Sequence, residues 1–217
     1  MILIKGAKIV DGLGQTIPFL ADLLIKNDRI SAIGKFPNKK ADLVVDGLGL
    51  YLTPGFIDVN THSDHHLSLF THPAQSDFLL QGVTTTFGGV CGASLAPLIA
   101  GNLEAIRKWT DTAQVNINWH SVGELLKILE SQKLGVNFGT LVGHSTIRRA
   151  MIGEDSRDLH ASEMDQFKKL IEDSMKEGAF GFSTGLGYSH THNTPFAEIR
   201  ELVKVIAKYK GVYATHL

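Results

Sequence analysis

Pro54-Gly55-Phe56-Ile57-Asp58-Val59-Asn60-Thr61-His62-Ser63-Asp64-His65-His66 constrains the fold of this chain more than any other stretch. Pro-Gly breaks whatever precedes it, and Phe56, Ile57 and Val59 then give the short apolar run of a strand buried on both faces. Such strands belong to parallel sheets covered by helices. The polar end of this one delivers imidazoles and carboxylates to the carboxyl edge of a sheet, where α/β folds place their chemistry. A metal ion is the obvious reason to gather them.

Two rhythms flank that stretch. Residues 1 to about 52 alternate short strand-like runs (Ile2–Ile4, Lys8–Val10, Leu23–Ile25, Ile30–Ile33, Leu43–Val45) with turn signals at Lys26-Asn27-Asp28-Arg29 and Asp46-Gly47. They predict a small N-terminal β-sandwich portion with no chemistry of its own. From residue 53 to 217 the pattern becomes strand, loop, helix, repeated. Gln75–Gln81 predicts a short helix leading into the β-branched strand Val83–Phe87, which stops at Gly88-Gly89-Val90-Cys91-Gly92. Asn102 caps a helix with Leu103, Ile106 and Trp109 inward, and Ser121-Val122-Gly123-Glu124 is a capping box for a helix bearing Leu125, Ile128 and Leu129. Strands at Val136–Val142, Ala179–Ser183 and Val212–His216 are separated by helices opened by Ser162 and by Thr194-Pro195. Five strand-then-helix units in series argue for a parallel α/β architecture, open sheet or barrel.

His62, Cys91, His144 and His216 all fall at or just past the ends of these strands. In a barrel those ends converge, so residues far apart in sequence can meet, and a thiolate with imidazoles suits zinc. Their separation excludes a local zinc-finger pattern. The other histidines have plainer expectations. His65, His66 and His72 belong to the mouth of the site or to a solvated loop, His120 and His160 to the surface, and His190 and His192 to the loop after the fourth strand.

Several of these segments carry a family resemblance. Pro54-Gly55-Phe56-Ile57-Asp58-x-Asn60-x-His62 resembles the first-strand Pro-Gly-Phe-Ile-Asp-x-His-x-His of the amidohydrolase superfamily, with Asn60 in place of the first histidine. Gly89-Val90-Cys91-Gly92-Ala93-Ser94-Leu95-Ala96-Pro97 is similar to the Gly-Asn-Cys-Gly-x-Ser-Leu-Ala-Pro of its N-acyl-D-amino-acid deacylase branch. Gly178–Tyr188 and Tyr213–Leu217 resemble the fourth- and fifth-strand segments of the same proteins.

The resemblance implies a (β/α)8 TIM-type barrel of which about five strands are present, since Pro54–Leu217 falls well short of the about 250 residues of a complete barrel. It further implies a zinc-dependent amide hydrolase that deacylates N-acyl-D-amino acids by a metal-bound hydroxide. Cys91 and His216 are implied as ligands of the tight metal position, with His62 as a further ligand. Cys91 would replace the bridging lysine of other superfamily members, because Ala179–Tyr188 contains none. Asn60 disfavours a second metal, an amide oxygen being a poorer zinc ligand than imidazole. Tyr188 is implied as a donor to the substrate carboxylate and His144 as a group near the pocket, contacting substrate or supporting those that do. A strand-six histidine and the strand-eight aspartate that serves as general base fall beyond Leu217. Two alternatives stand beside this reading: a cyclic-amide hydrolase of the dihydroorotase or hydantoinase kind, and a non-catalytic truncated fragment.

Charge narrows the partners. With 21 Lys and Arg against 22 Asp and Glu, scattered along the chain, there is no basic stripe for nucleic acid or an anionic membrane, and a small N-acyl amino acid fits better. No apolar run reaches the length of a bilayer span, the start lacks the form of a signal peptide, and the single cysteine suits a reducing compartment, so the cytoplasm is expected.

Overall fold

The computed structural model describes residues 1–14, 17–99, 107 and 110–216, which form two compact units, Met1–Gly55 and Phe56–Leu217. The expected helix around Asn102 lies outside the described residues.

The first unit is a mixed sheet of β1 (Ile2–Ile9), β2 (Phe19–Lys26), β3 (Arg29–Gly34), β4 (Leu43–Asp46) and β5 (Tyr51–Leu52). Its order is β3-β2-β1-β4, with β5 continuing along β1 beside β4. The two runs read from the sequence as Ile2–Ile4 and Lys8–Val10 are one strand. Its register against β2 shifts between Ile4 and Ala7, where Gly6 takes a φ of 66° and lets the ladder continue across a bulge. Asn27 and Asp28, both at positive φ, turn β2 into β3 as the hairpin signal predicts. Ile9, Ala21 and Leu23 form the small core of this unit.

The second unit follows the strand–helix rhythm. β6 (Phe56–Asp58) is followed by the short helices α1 (Ser68–Thr71) and α2 (Ser76–Leu79), then by β7 (Val83–Gly88). α3 (Val122–Ser131), β8 (Asn137–Gly143), α4 (His144–Ile152), α5 (Ala161–Lys176), β9 (Gly181–Gly185), α6 (Phe196–Ala207) and β10 (Val212–His216) complete it. The Ser121 side chain accepts from Glu124 N while Glu124 accepts from Ser121 N, so the capping box forms as its sequence requires. α5 is capped at His160, two residues before Ser162.

All neighbours in this sheet are parallel, and the order β10-β9-β8-β7-β6 is strictly sequential. An open doubly wound sheet reverses its order at a switch point, whereas a barrel adds each strand to the outer edge of the last. Sequential order together with curling makes this a five-stranded half-barrel. The helices cover its outer face. Val142 and Phe182 point outward into a core with Leu125, Phe167, Ile171, Leu202 and Ile206. Alternation sends Leu141 and Ala214 to the other face, where they meet Val90 and Cys91. Among the described residues no helix is long and apolar enough to cross a membrane.

Candidate metal centre

The inner face is built for close approach of backbone. His216 pairs with Gly185 at the carboxyl ends of β10 and β9. A Cβ on Gly185 would lie 2.2 Å from the Cys91 carbonyl oxygen, so only glycine lets the loop after β7 reach across to these strands. Within that loop Cys91 itself adopts a φ of 55°. A non-glycine residue there costs about 1–2 kcal/mol, which persists only where the surroundings impose it.

The consequence is a meeting of residues far apart in the chain. Cys91 Sγ lies 3.1 Å from His216 Nδ1. Both line a cleft of about 480 Å³ with Val59, Asn60, Val90, Ala214 and Thr215. Burial pushes the Cys91 thiol upward, with the Asp64 carboxylate adding to the effect. The thiol is therefore neutral at neutral pH until a cation draws off its proton.

Asp64 is 1% exposed. It accepts hydrogen bonds from Gly89 N at 2.6 Å and from His65 N at 2.9 Å, joining the loop after β6 to the cysteine loop. Thr61 makes the same connection one strand end earlier, donating from both N and Oγ1 to Phe87 O. His65, expected at the mouth of the site or in a solvated loop, is fully buried, with Nε2 2.9 Å from Ala93 O. His66 and His72 are exposed, as are His120 and His160.

His62 is half-buried, its ring edge-on to that of His65 at 4.8 Å. Burial and the neighbouring imidazole of His65 push its pKa down, so it presents a neutral, ligand-competent ring. It does not complete a three-donor set with Cys91 and His216: among the described residues no three His, Cys, Asp or Glu side chains are grouped closely enough to hold a metal ion.

Tyr188 overhangs the same corner. A Cβ on Gly185 would come within 2.7 Å of its ring, and burial, with Cys91 nearby, pushes its phenol upward and keeps it protonated. The ring stacks on His190 at 5.9 Å. His144 lies elsewhere. It is fully buried on the helix side, stacked on Phe167, with Nε2 2.7 Å from Glu198 Oε1, and it is absent from the cleft lining.

Glu198 anchors a polar cluster that sequence reading missed. Arg148, 1% exposed, donates from Nε to Glu198 Oε1 at 3.3 Å and from its Nη atoms to the carbonyls of Asp155, Arg157 and His190. The only local signal for it in the sequence was the adjacent pair Arg148-Arg149. His190 Nε2 meets Ser145 Oγ, and its Nδ1 is 3.6 Å from Glu154. That order of serine, histidine and acid resembles a nucleophile triad, but Ser145 is 3% exposed and Glu154 stands beyond hydrogen-bond reach, so the cluster fixes loops rather than attacks substrates.

The donors at the cleft suit zinc in kind. Tetrahedral bonds of about 2.3 Å to sulfur and about 2.0 Å to nitrogen place the two atoms about 3.6 Å apart, so the observed pair need open only slightly to share one ion. Cys91 and His216 are thus two donors of the kinds that zinc accepts.

Fold and cleft together define an α/β half-barrel that brings a cysteine and a histidine together at the carboxyl edge of its strands. No family model matches the sequence. Individual proteins do. D-aminoacylase of Alcaligenes xylosoxydans xylosoxydans is 35% identical over all of this chain, which spans 44% of that protein. The structure of N-acyl-D-glutamate deacylase from Bordetella bronchiseptica, complexed with zinc and a phosphonate mimic of the tetrahedral intermediate, superposes with a TM-score of 0.88 at 30% identity. It covers the whole of this chain and 44% of its own. A D-aminoacylase structure addressing a binuclear metal centre, with one-metal activation and second-metal attenuation, gives 0.88 at 32% identity over the whole of this chain and 45% of its own. Over its whole length the chain is similar to part of the D-aminoacylase and N-acyl-D-glutamate deacylase chains. It spans less than half the length of the relatives it matches.

Proposed function

We infer that this chain carries the thiolate half of the metal site of a zinc-dependent deacylase of N-acyl-D-amino acids. The observation that carries the reading is the approach of Cys91 and His216, separated by 125 residues, to 3.1 Å at one edge of the half-barrel. Both would hold the metal, and His62, which is not grouped with them, would serve a weaker second position. When bound, zinc would polarise the scissile carbonyl and lower the pKa of a bound water to about 7. Asn60 lines the cleft where an imidazole would bind a second ion more tightly, so a single metal is the working state.

The remaining work falls to the chain's own groups. Tyr188, kept protonated, would donate a hydrogen bond from its phenol to the carboxylate of the amino acid and so orient the substrate. His144 acts at one remove. Through Glu198 and Arg148 it holds the loop that bears Tyr188.

The test is zinc content by mass spectrometry alongside turnover of a panel of N-acetyl-D-amino acids, on the full protein. Cys91→Ser is expected to lose metal and activity together, by more than the about 10–100-fold typical of losing an outer-shell partner. His62→Ala is expected to lose less. Unchanged zinc in Cys91→Ser overturns the reading.

A further inference from the structure

The unusual backbone of Cys91 is held from outside. Gly89 N donates to Asp64 Oδ2 at 2.6 Å, Gly89 O accepts from Ser183 Oγ, and Gly92 N donates back to the same Ser183 Oγ at 3.0 Å. Ser183 is 0% exposed and stands on the inner face of β9. One hydroxyl therefore satisfies an acceptor at one end of the turn and a donor at the other, with Cys91 between them. Only a group that both donates and accepts can do this, so an alanine would leave two buried backbone groups without their partner.

We propose that Ser183 and Asp64 are positioning residues that clamp Gly89 and Gly92 and thereby aim the Cys91 sulfur at His216 and the metal. This rests on the reading of Cys91 as a ligand. A purely structural role would make every buried hydroxyl of β9 equivalent, whereas a clamp makes Ser183 special. Thr184 supplies the comparison. It is the next residue, equally buried, but faces the other way and bonds Tyr213 and Thr215.

Ser183→Ala, Ser183→Thr and Thr184→Val are compared with the unsubstituted full protein in three measurements. These are zinc affinity by chelator competition, the thiolate-to-cobalt charge-transfer band of the Co(II) form, and the alkylation rate of Cys91 in metal-free protein, followed on its peptide by mass spectrometry. Ser183→Ala is expected to weaken zinc binding about 10–100-fold, to shift the cobalt band and to speed alkylation. Ser183→Thr, which keeps a hydroxyl, should recover most of the loss, and Thr184→Val should leave all three unchanged. Equal effects of Ser183→Ala and Thr184→Val overturn the clamp, as does unchanged alkylation in Ser183→Ala. A cobalt band that is absent, or that survives in Cys91→Ala, overturns the ligand reading instead, and the alkylation result still decides the clamp.

Discussion

Every buried polar or charged side chain among the described residues belongs to the half-barrel, from Thr61 to Glu198, while the N-terminal sheet buries aliphatic residues such as Leu3, Ile9 and Leu23. Polar burial is costly unless each group is paired, and a scaffold has no reason to incur that cost. The sheet behaves as scaffold. Among the buried groups of the half-barrel two layers stand out, one around the cysteine turn (Asp64, Ser94, Thr146, Ser183) and one behind the Tyr188 loop (His144, Arg148, Glu198, His190). Neither layer is needed to close a hydrophobic core. Both fix loops at the carboxyl edge.

The largest effect that sharpens this contrast is expected at Arg148. Arg148→Met removes the cation and leaves the Glu198 carboxylate buried with His144 as its remaining partner. Breaking one side of a buried pair costs about 3–5 kcal/mol. Urea unfolding of the full protein checks it, and the loop carbonyls of Asp155, Arg157 and His190 should show faster amide exchange in their neighbourhood. A cost below 1 kcal/mol would mean that the cluster is solvated and the contrast is lost.

A smaller effect is expected in the scaffold. Leu23→Ala empties a packed position beside Ile9 and Ala21 and should cost about 2–3 kcal/mol, the lower part of the usual range, because a small cluster on a single sheet can relax inward. Zinc content and kcat should not move. A fall in zinc content would break the division between scaffold and site.

How much of this was legible beforehand depends on the kind of interaction. The parallel strands, the capping box at Ser121 and the apolar face of α5 follow from periodicity and caps, which are local. β10 occupies the span its β-branched run predicts, whereas β9 sits two residues later than Ala179–Ser183, because Gly181 pairs with Leu141 and Val212. That Cys91, His62 and His216 fall just past strand ends was legible in the strand runs; that Cys91 and His216 lie 3.1 Å apart while no three-donor group forms among the described residues was not. His144 shows the limit well. Its place after Gly143 suggests the pocket, but the first turn of α4 carries its ring to the helix side, onto Phe167. Ser183 and Glu198 gave no signal, since the side chain of each acts through partners at least 50 residues distant that no spacing rule connects.

The smallest expected effect is a slope in pH. His144 is held well below its ordinary imidazole value, chiefly by burial, although the Glu198 carboxylate pulls it upward and Arg148 pushes it down. His190, facing Glu154, Arg149 and Arg148, is lowered by burial in the same way. In the unfolded chain both titrate near 6.5. Below that pH the unfolded state takes up protons that the folded state refuses, so stability present above 6.5 is lost as the pH falls toward the folded values, by up to about 1.4 kcal/mol per pH unit for each group. His144→Gln keeps an N–H for Glu198 but no longer titrates, and should remove one such contribution from the acid limb of a stability–pH profile while leaving the limb above pH 7 parallel to the unsubstituted protein. Substituting any side chain of the N-terminal sheet should leave the slope between pH 5 and 7 unchanged, since that unit contains no histidine. A slope that His144→Gln does not reduce would mean that the imidazole is protonated in the folded state. The buried cluster would then be a charged triad, and the half-barrel would keep its polar interior at a cost that its loops alone do not explain.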